Sequence, residues 1–215
     1  SARMGSAIGS LSIEGVAAHA GVDPERGRSA VEEAARQIVR IYGLARPGST
    51  VNVTGLSGGQ RPHIVADAAG CTVEFRAWKQ ETLDDMRVGL AEIVRTPEVD
   101  GTRIAFEETG GRPALEATAD TEPLLEAASG IAADAGVPFS HTRTGGGADG
   151  NYLAPMRVPI LDGLGPVGGG LHTEDEYIEL PSLVPRAAML AGIIERLAGG
   201  LRPGPPGKTE KQMHP

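Results

Sequence analysis

The chain has 215 residues, 40% of them apolar and 22% charged, a composition that buries one or two ordinary cores and rules out disorder throughout. Its formal charge is −8, from 20 basic against 28 acidic residues; Lys79, Lys208 and Lys211 are its lysines, and its arginines are scattered, so no basic face for nucleic acid is expected. The greasiest stretch, Ala187 to Leu197, is broken by Glu195 and Arg196, so no membrane span is expected, and the lone Cys71 forbids an intrachain disulfide and a Cys-based zinc site. No secretory signal is visible, which sets the expectation of a cytoplasmic protein. Ser1 opens the chain with a strand-like pattern close behind and no initiator Met, so the sequence is expected to be a piece of a longer one.

In chain order, Leu11 and Ile13 alternate with Ser10, Ser12 and Glu14 as a half-buried strand, which closes in Gly15-Val16-Ala17-Ala18-His19-Ala20-Gly21. From Ser29 the period becomes helical, with Val31, Ala34, Ala35, Ile38, Ile41 and Tyr42 on one face, a capping box at Ser29-Ala30-Val31-Glu32 and an end near Gly43. Val51 and Val53 mark a second strand, Gly55 to Pro62 a loop, and Val73, Phe75 and Ala77 a third strand. Leu83, Met86, Leu90, Ile93 and Val94 form a second amphipathic helix stopped at Thr96-Pro97, and Ile104 and Phe106 supply a fourth strand. The order βαββαβ predicts a ferredoxin-like α+β sandwich, two helices on one face of a four-stranded antiparallel sheet.

Gly110-Gly111-Arg112-Pro113 marks the expected domain boundary, dividing 1–113 from 114–200. Beyond it Asp120 is the expected cap of a helix carrying Leu124, Leu125, Ala128, Ile131 and Ala132, followed by short strands near Phe139 and at Pro159–Asp162. Ser182 is the expected cap of a last helix with Leu183, Ala187, Leu190, Ile194 and Leu197 on its buried face. This α/β layer holds too few strands for a free-standing sheet, and 201–215, rich in Pro, Gly and Lys, reads as a disordered tail.

Glycine is concentrated in two loops of this half. Gly145-Gly146-Gly147 offers consecutive backbone N–H groups ahead of a short helix, suited to an anion such as a carboxylate, or simply a tight turn. His172 follows the run Gly168-Gly169-Gly170 and precedes Thr173-Glu174-Asp175-Glu176-Tyr177, so it is either a metal ligand among carboxylates or a surface histidine. No His-x-Asp, His-Glu-x-x-His or Cys cluster accompanies it, and the acids Glu32-Glu33 and Glu107-Glu108 read as solvated faces. These residues alone cannot assemble an ordinary zinc site.

Gly145-Gly146-Gly147-Ala148-Asp149-Gly150-Asn151, Pro159 to Gly170 and His172-Thr173-Glu174-Asp175-Glu176-Tyr177 together resemble the C-terminal signature of the zinc aminoacylase/carboxypeptidase family, metallopeptidase family twenty, and most of all its glutamate carboxypeptidase branch. Gly15 to Gly21, with Pro24, Gly27 and Ser29-Ala30, resembles the entry to that family's lid or dimerisation domain. The resemblance implies the lid plus the C-terminal part of a discontinuous catalytic domain, with the other metal ligands and the general base lying upstream. It implies a homodimer through the lid, two zinc ions in the complete enzyme, and hydrolysis of an amide next to a free carboxylate, in a peptide or an N-acyl amino acid. By the same resemblance His172 ligates one zinc, His19 reaches the partner's active site to polarise the scissile carbonyl, and Arg76 holds the substrate carboxylate beside Gly145, Gly146 and Gly147. His63 stands where the family has a substrate-binding Asn, Ala148 where it has Ser or Thr, and Met156-Arg157 where Leu-Gly is usual. These departures motivate the alternative of a non-catalytic dimerisation or binding module.

Overall fold

A computed structural model describes residues 1–200, without the side chain of Asp120; the expected tail at 201–215 lies outside the described residues. In chain order the elements are β1 (Ala2–Arg3), β2 (Gly5–Glu14), α1 (Ala30–Tyr42), β3 (Ser49–Gly58), β4 (Ala68–Ala77), α2 (Gln80–Arg95), β5 (Arg103–Arg112), α3 (Glu122–Asp134), β6 (Arg143–Thr144), α4 (Gly150–Leu153), β7 (Gly168–Gly169), β8 (Tyr177–Ile178) and α5 (Leu180–Ala198). They divide between two compact units: Ala2–Glu116 with Arg143–Met156, and Ala117–Thr142 with the described residues from Arg157 onward. The division falls three residues beyond the expected boundary at 113, and the segment 143–156 rejoins the first unit instead of the second. A strand pairing and two hydrogen bonds explain its return: β6 pairs in parallel with β1, and the buried Asn151 side chain donates to the Met4 and Pro113 carbonyls.

The first unit is the expected ferredoxin-like sandwich. Its sheet runs β3-β4-β2-β5, every neighbouring pair antiparallel. Register places Leu11 between Cys71 and Phe106, and Ile13 between Ala69 and Ile104. Because side chains alternate across a strand, Ala7, Leu11, Ile13, Val73, Phe75 and Ala77 all face one way. There they close a core with Ala34 and Ile41 of α1 and Leu83, Met86, Leu90 and Ile93 of α2. Gly9 leaves room for Phe106 to lie across β2; a Cβ there would come within 2.3 Å of Phe106 Cζ.

Local details depart from expectation in instructive ways. Ser29 caps α1, its Oγ accepting from Glu32 N at 3.1 Å, but the Glu32 carboxylate turns to Arg36 at 2.7 Å instead of completing the box. Gly55 to Gly58, expected as loop, continue β3 beyond an irregularity after Thr54. Glu33, expected on a solvated face, is fully buried. Its carboxylate accepts from Gln37 Nε2, the Glu98 and Val99 backbone N–H groups and Thr102 Oγ1, tying the α2–β5 connection to α1. Burial works to raise its pKa, yet these donors outweigh burial and hold it below the ordinary carboxylate range.

In the second unit α3 and α5 pack together around Ala128, Ala132, Val137, Met189 and Ile193, with Phe139 and Leu161 against them. No strand forms near Phe139 or at Pro159–Asp162; the described ladder is the two-residue hairpin of β7 and β8. Helix α5 starts earlier than expected, with Glu179 at its N-cap; Ser182 Oγ instead accepts from Val167 N at 2.9 Å and donates to the Glu179 carbonyl at 2.6 Å. Thr121 holds the N-cap position of α3, without a side-chain cap bond. The face of α5 that is buried carries Met189 and Ile193, while Leu183, Leu190, Ile194 and Leu197 are exposed. Helix α5 is apolar nearly all round, so the sequence pattern does not select which face is buried.

Candidate functional site

His19 sits in the loop after β2, held to the β3–β4 connection by hydrogen bonds from Val65 N to the Ala18 carbonyl and from Ala20 N to the His63 carbonyl, each 2.9 Å. These bonds bring His19 and His63 together, with ring centroids 6.3 Å apart and both residues exposed. The His19 backbone N–H donates to Asp23 Oδ1 at 3.1 Å, and its carbonyl accepts from the Val22 and Asp23 N–H groups. Its ring Nδ1 accepts the Gly21 N–H at 3.1 Å. An acceptor at Nδ1 requires the proton of the neutral imidazole to sit on Nε2, so Nε2 is a hydrogen-bond donor. A rigid, exposed N–H donor is suited to an oxygen that gains negative charge. A cleft of about 800 Å³ opens nearby between Ala17 and the β3–β4 connection, walled by Gly59, Arg61, Ile64 and Asp67, but it includes neither His19 nor Arg76.

Arg76 lies on the face of β4 opposite the core, between Ser6 of β2 and Thr50 of β3. It is half-buried, and three of its donors have partners: Nε and Nη2 bind Glu74 Oε1 at 2.9 and 2.7 Å, and Nη1 binds the Gly145 carbonyl at 3.0 Å. The glycine loop meets the arginines through carbonyls: Gly146 O accepts from Arg3 Nη1 at 2.9 Å, while Gly146 N turns back to Thr144 Oγ1. Arg112 adds a third guanidinium, 3.9 Å from Asp149 and 5.5 Å from the centre of the Tyr152 ring. Asn151, passed over in the sequence as part of a motif, is the pin of this loop: it is fully buried and its Oδ1 accepts from Ala148 N at 2.9 Å. Glu74 was likewise missed, although its spacing of two from Arg76 on a strand places both on one face.

His172 occupies the turn between β7 and β8 with φ of +65°, a left-handed conformation that a non-glycine residue adopts at a cost. The turn is braced by Thr173, whose Oγ1 donates to the Gly170 carbonyl at 2.7 Å and accepts from Asp175 N at 3.2 Å. The ring is exposed. A catalytic zinc needs at least three protein ligands, and among the described residues no three His, Cys, Asp or Glu side chains converge. The described residues therefore do not by themselves fit the two zinc ions that the resemblance implies. Also among the described residues, no helix is long and apolar enough to cross a membrane.

Similarity to known proteins bears on the fold and the family. The chain is 30% identical over 199 residues to the uncharacterized protein YqjE of Bacillus subtilis (strain 168), covering 86% of this chain and 50% of that protein. It is 28% identical over 194 residues to carboxypeptidase G2 of Pseudomonas sp. (strain RS-16), covering 88% and 47%. Among solved structures, aminopeptidase PepT from Bacillus cereus ATCC 10987 superposes with a TM-score of 0.73 at 28% identity, over 92% of this chain and 53% of that one. The chain thus spans about half the length of the curated relatives it matches. Residues 1–102 match the profile of the peptidase dimerisation domain, M20_dimer. The resemblance read from the sequence holds, and the chain carries, over residues 1–102, the dimerisation domain of the M20 peptidases.

Proposed function

We propose that this chain is the lid and the C-terminal part of the catalytic domain of a dimeric, metal-dependent amidohydrolase that cleaves an amide next to a free carboxylate, in a peptide or an N-acyl amino acid. Residues 1–113 would be the lid and 114–200 the C-terminal catalytic part, whose segment 143–156 packs with the lid's unit. Its metal would be zinc, His172 supplying one ligand and the others coming from elsewhere in the whole protein. The exposed apolar side of α5, with Leu183, Leu190, Ile194 and Leu197, supports a second unit completed by further chain, since so large an apolar face is seldom left to water.

The single observation that carries the proposal is the state of His19. Its Nδ1 accepts from Gly21 N and the residue is exposed, so a proton on Nε2 would be available to the developing oxyanion of a second subunit. Two edges of the sheet are available for that subunit. The edge at β5 bears Arg103, Glu107 and Glu108, the last paired with Arg87 at 2.7 Å, and charge blunts an edge. Strand β3 is flanked instead by the exposed Val31, Val39, Tyr42 and Leu56, so it is the edge where copies meet. Arg76 would hold the substrate carboxylate, with Gly145, Gly146 and Gly147 shaping the loop beside it, and His63 would lie next to His19 in place of the family amide.

Kinetics of His19→Ala in the full-length protein test the reading. Losing one oxyanion donor is expected to lower kcat about 10²-fold with bound metal and dimer unchanged. A kcat within twofold of the parent would overturn the role of His19.

A further inference from the structure

Arg76 is not a loose side chain waiting for a ligand, and the group that holds it is Glu74. A guanidinium has five N–H donors in one plane. Nε and Nη2 each give one to Glu74 Oε1, at 2.9 and 2.7 Å, and Nη1 gives one to the Gly145 carbonyl at 3.0 Å. Two donors remain, one on each terminal nitrogen, the number that a carboxylate takes when bound by both oxygens. The pair lies along the outer face of β4, where Ile8 and Asn52 flank Glu74, and Ser6 and Thr50 flank Arg76. Both side chains are only partly exposed, Glu74 at 22% and Arg76 at 37%.

We infer that Glu74 is a positioning residue: its carboxylate fixes the guanidinium plane of Arg76 so that its remaining donors are presented to the substrate carboxylate. This rests on the proposed role of Arg76. Fixing a flexible side chain in advance removes an entropy cost that binding would otherwise bear. Against that gain stands repulsion between the Glu74 and substrate carboxylates, which is weak at a partly exposed site because water screens it. The clamp therefore outweighs the repulsion.

Three variants of the full-length protein decide the matter, assayed with an N-acyl amino acid bearing a free carboxylate and with its carboxamide. Glu74→Ala is expected to raise KM for the free acid by roughly five- to tenfold, with kcat and the carboxamide KM within about twofold. Glu74→Gln keeps an oxygen acceptor for Nε and Nη2 and is expected to restore KM to within about twofold of the parent. Arg76→Ala, the control for the underlying reading, is expected to raise KM for the free acid about 100-fold or more. An unchanged or lowered KM in Glu74→Ala alongside a raised KM in Arg76→Ala would overturn the clamp alone. A lowered KM in both Glu74 variants would make Glu74 a competitor of the substrate instead of a clamp. An unchanged KM in Arg76→Ala would overturn the role of Arg76 and the inference with it.

Discussion

Replacing Glu33 by Gln would separate charge from shape at the best-connected buried carboxylate among the described residues. The side chain is fully buried and accepts from four groups: Gln37 Nε2, Glu98 N, Val99 N and Thr102 Oγ1. A glutamine has one acceptor oxygen, and its amide N–H groups would face the backbone N–H groups of Glu98 and Val99. Removing one side of a buried charged network costs about 3–5 kcal/mol; keeping the shape and one acceptor moderates this to about 3 kcal/mol at neutral pH. The folded-state pKa of Glu33 is lowered from 4.5, so the ionised form stabilises the fold fully above that value. As pH falls below 4.5 the unfolded chain takes up the proton first, and this contribution is lost progressively until the folded-state pKa is passed. Urea unfolding followed through Trp78, the single tryptophan, at several pH values from about 3 to 7 measures the effect. The difference between parent and variant should be largest at neutral pH and shrink below 4.5. A loss under about 0.5 kcal/mol at neutral pH, or a difference that does not vary with pH, would refute the reasoning.

Asn151→Ala removes three hydrogen bonds, of 2.9, 3.1 and 2.8 Å, and leaves Ala148 N and the Met4 and Pro113 carbonyls without them. It should cost about 2–4 kcal/mol and speed hydrogen exchange at the Ala148 amide; unchanged exchange would show that the loop has another anchor. His172→Gly relieves a left-handed residue at φ +65°, a gain of about 1–2 kcal/mol that the greater flexibility of glycine in the unfolded chain offsets by about 0.5–1 kcal/mol. Its Tm should stay level or rise while activity of the full-length protein is lost. A fall in Tm would mean that the ring makes a stabilising contact.

The sandwich was legible because its strands bury one face only. Alternation at Leu11 and Ile13 and at Val73, Phe75 and Ala77 leaves one register that sends every apolar side chain to the helices. Signals failed where burial was not alternating or was set by polar groups. Glu33 looks like any acid on the first turn of a helix, and its burial depends on donors from residues 98–102 that no local pattern announces. Pro159–Asp162 is apolar without a partner strand, and α5 is apolar on too many sides for periodicity to choose Met189 and Ile193. At the site, the motif drew attention to His19, Arg76 and His172, but the tautomer of His19 and the engagement of Arg76 by Glu74 are set by single hydrogen bonds. The closeness of His19 and His63 depends on the pairing of two loops distant in sequence.

The claim that His19 serves a neighbouring subunit is tested most directly by mixing two inactive forms of the full-length protein, His19→Ala and His172→Ala, and assaying purified mixed dimers. In the mixed dimer the His19→Ala subunit keeps its own metal-binding residues and receives an intact His19 from its partner. One of two sites is then complete, so the purified mixed dimers should recover about half of parental activity. Verified mixed dimers that remain as inactive as either parent variant would contradict the account.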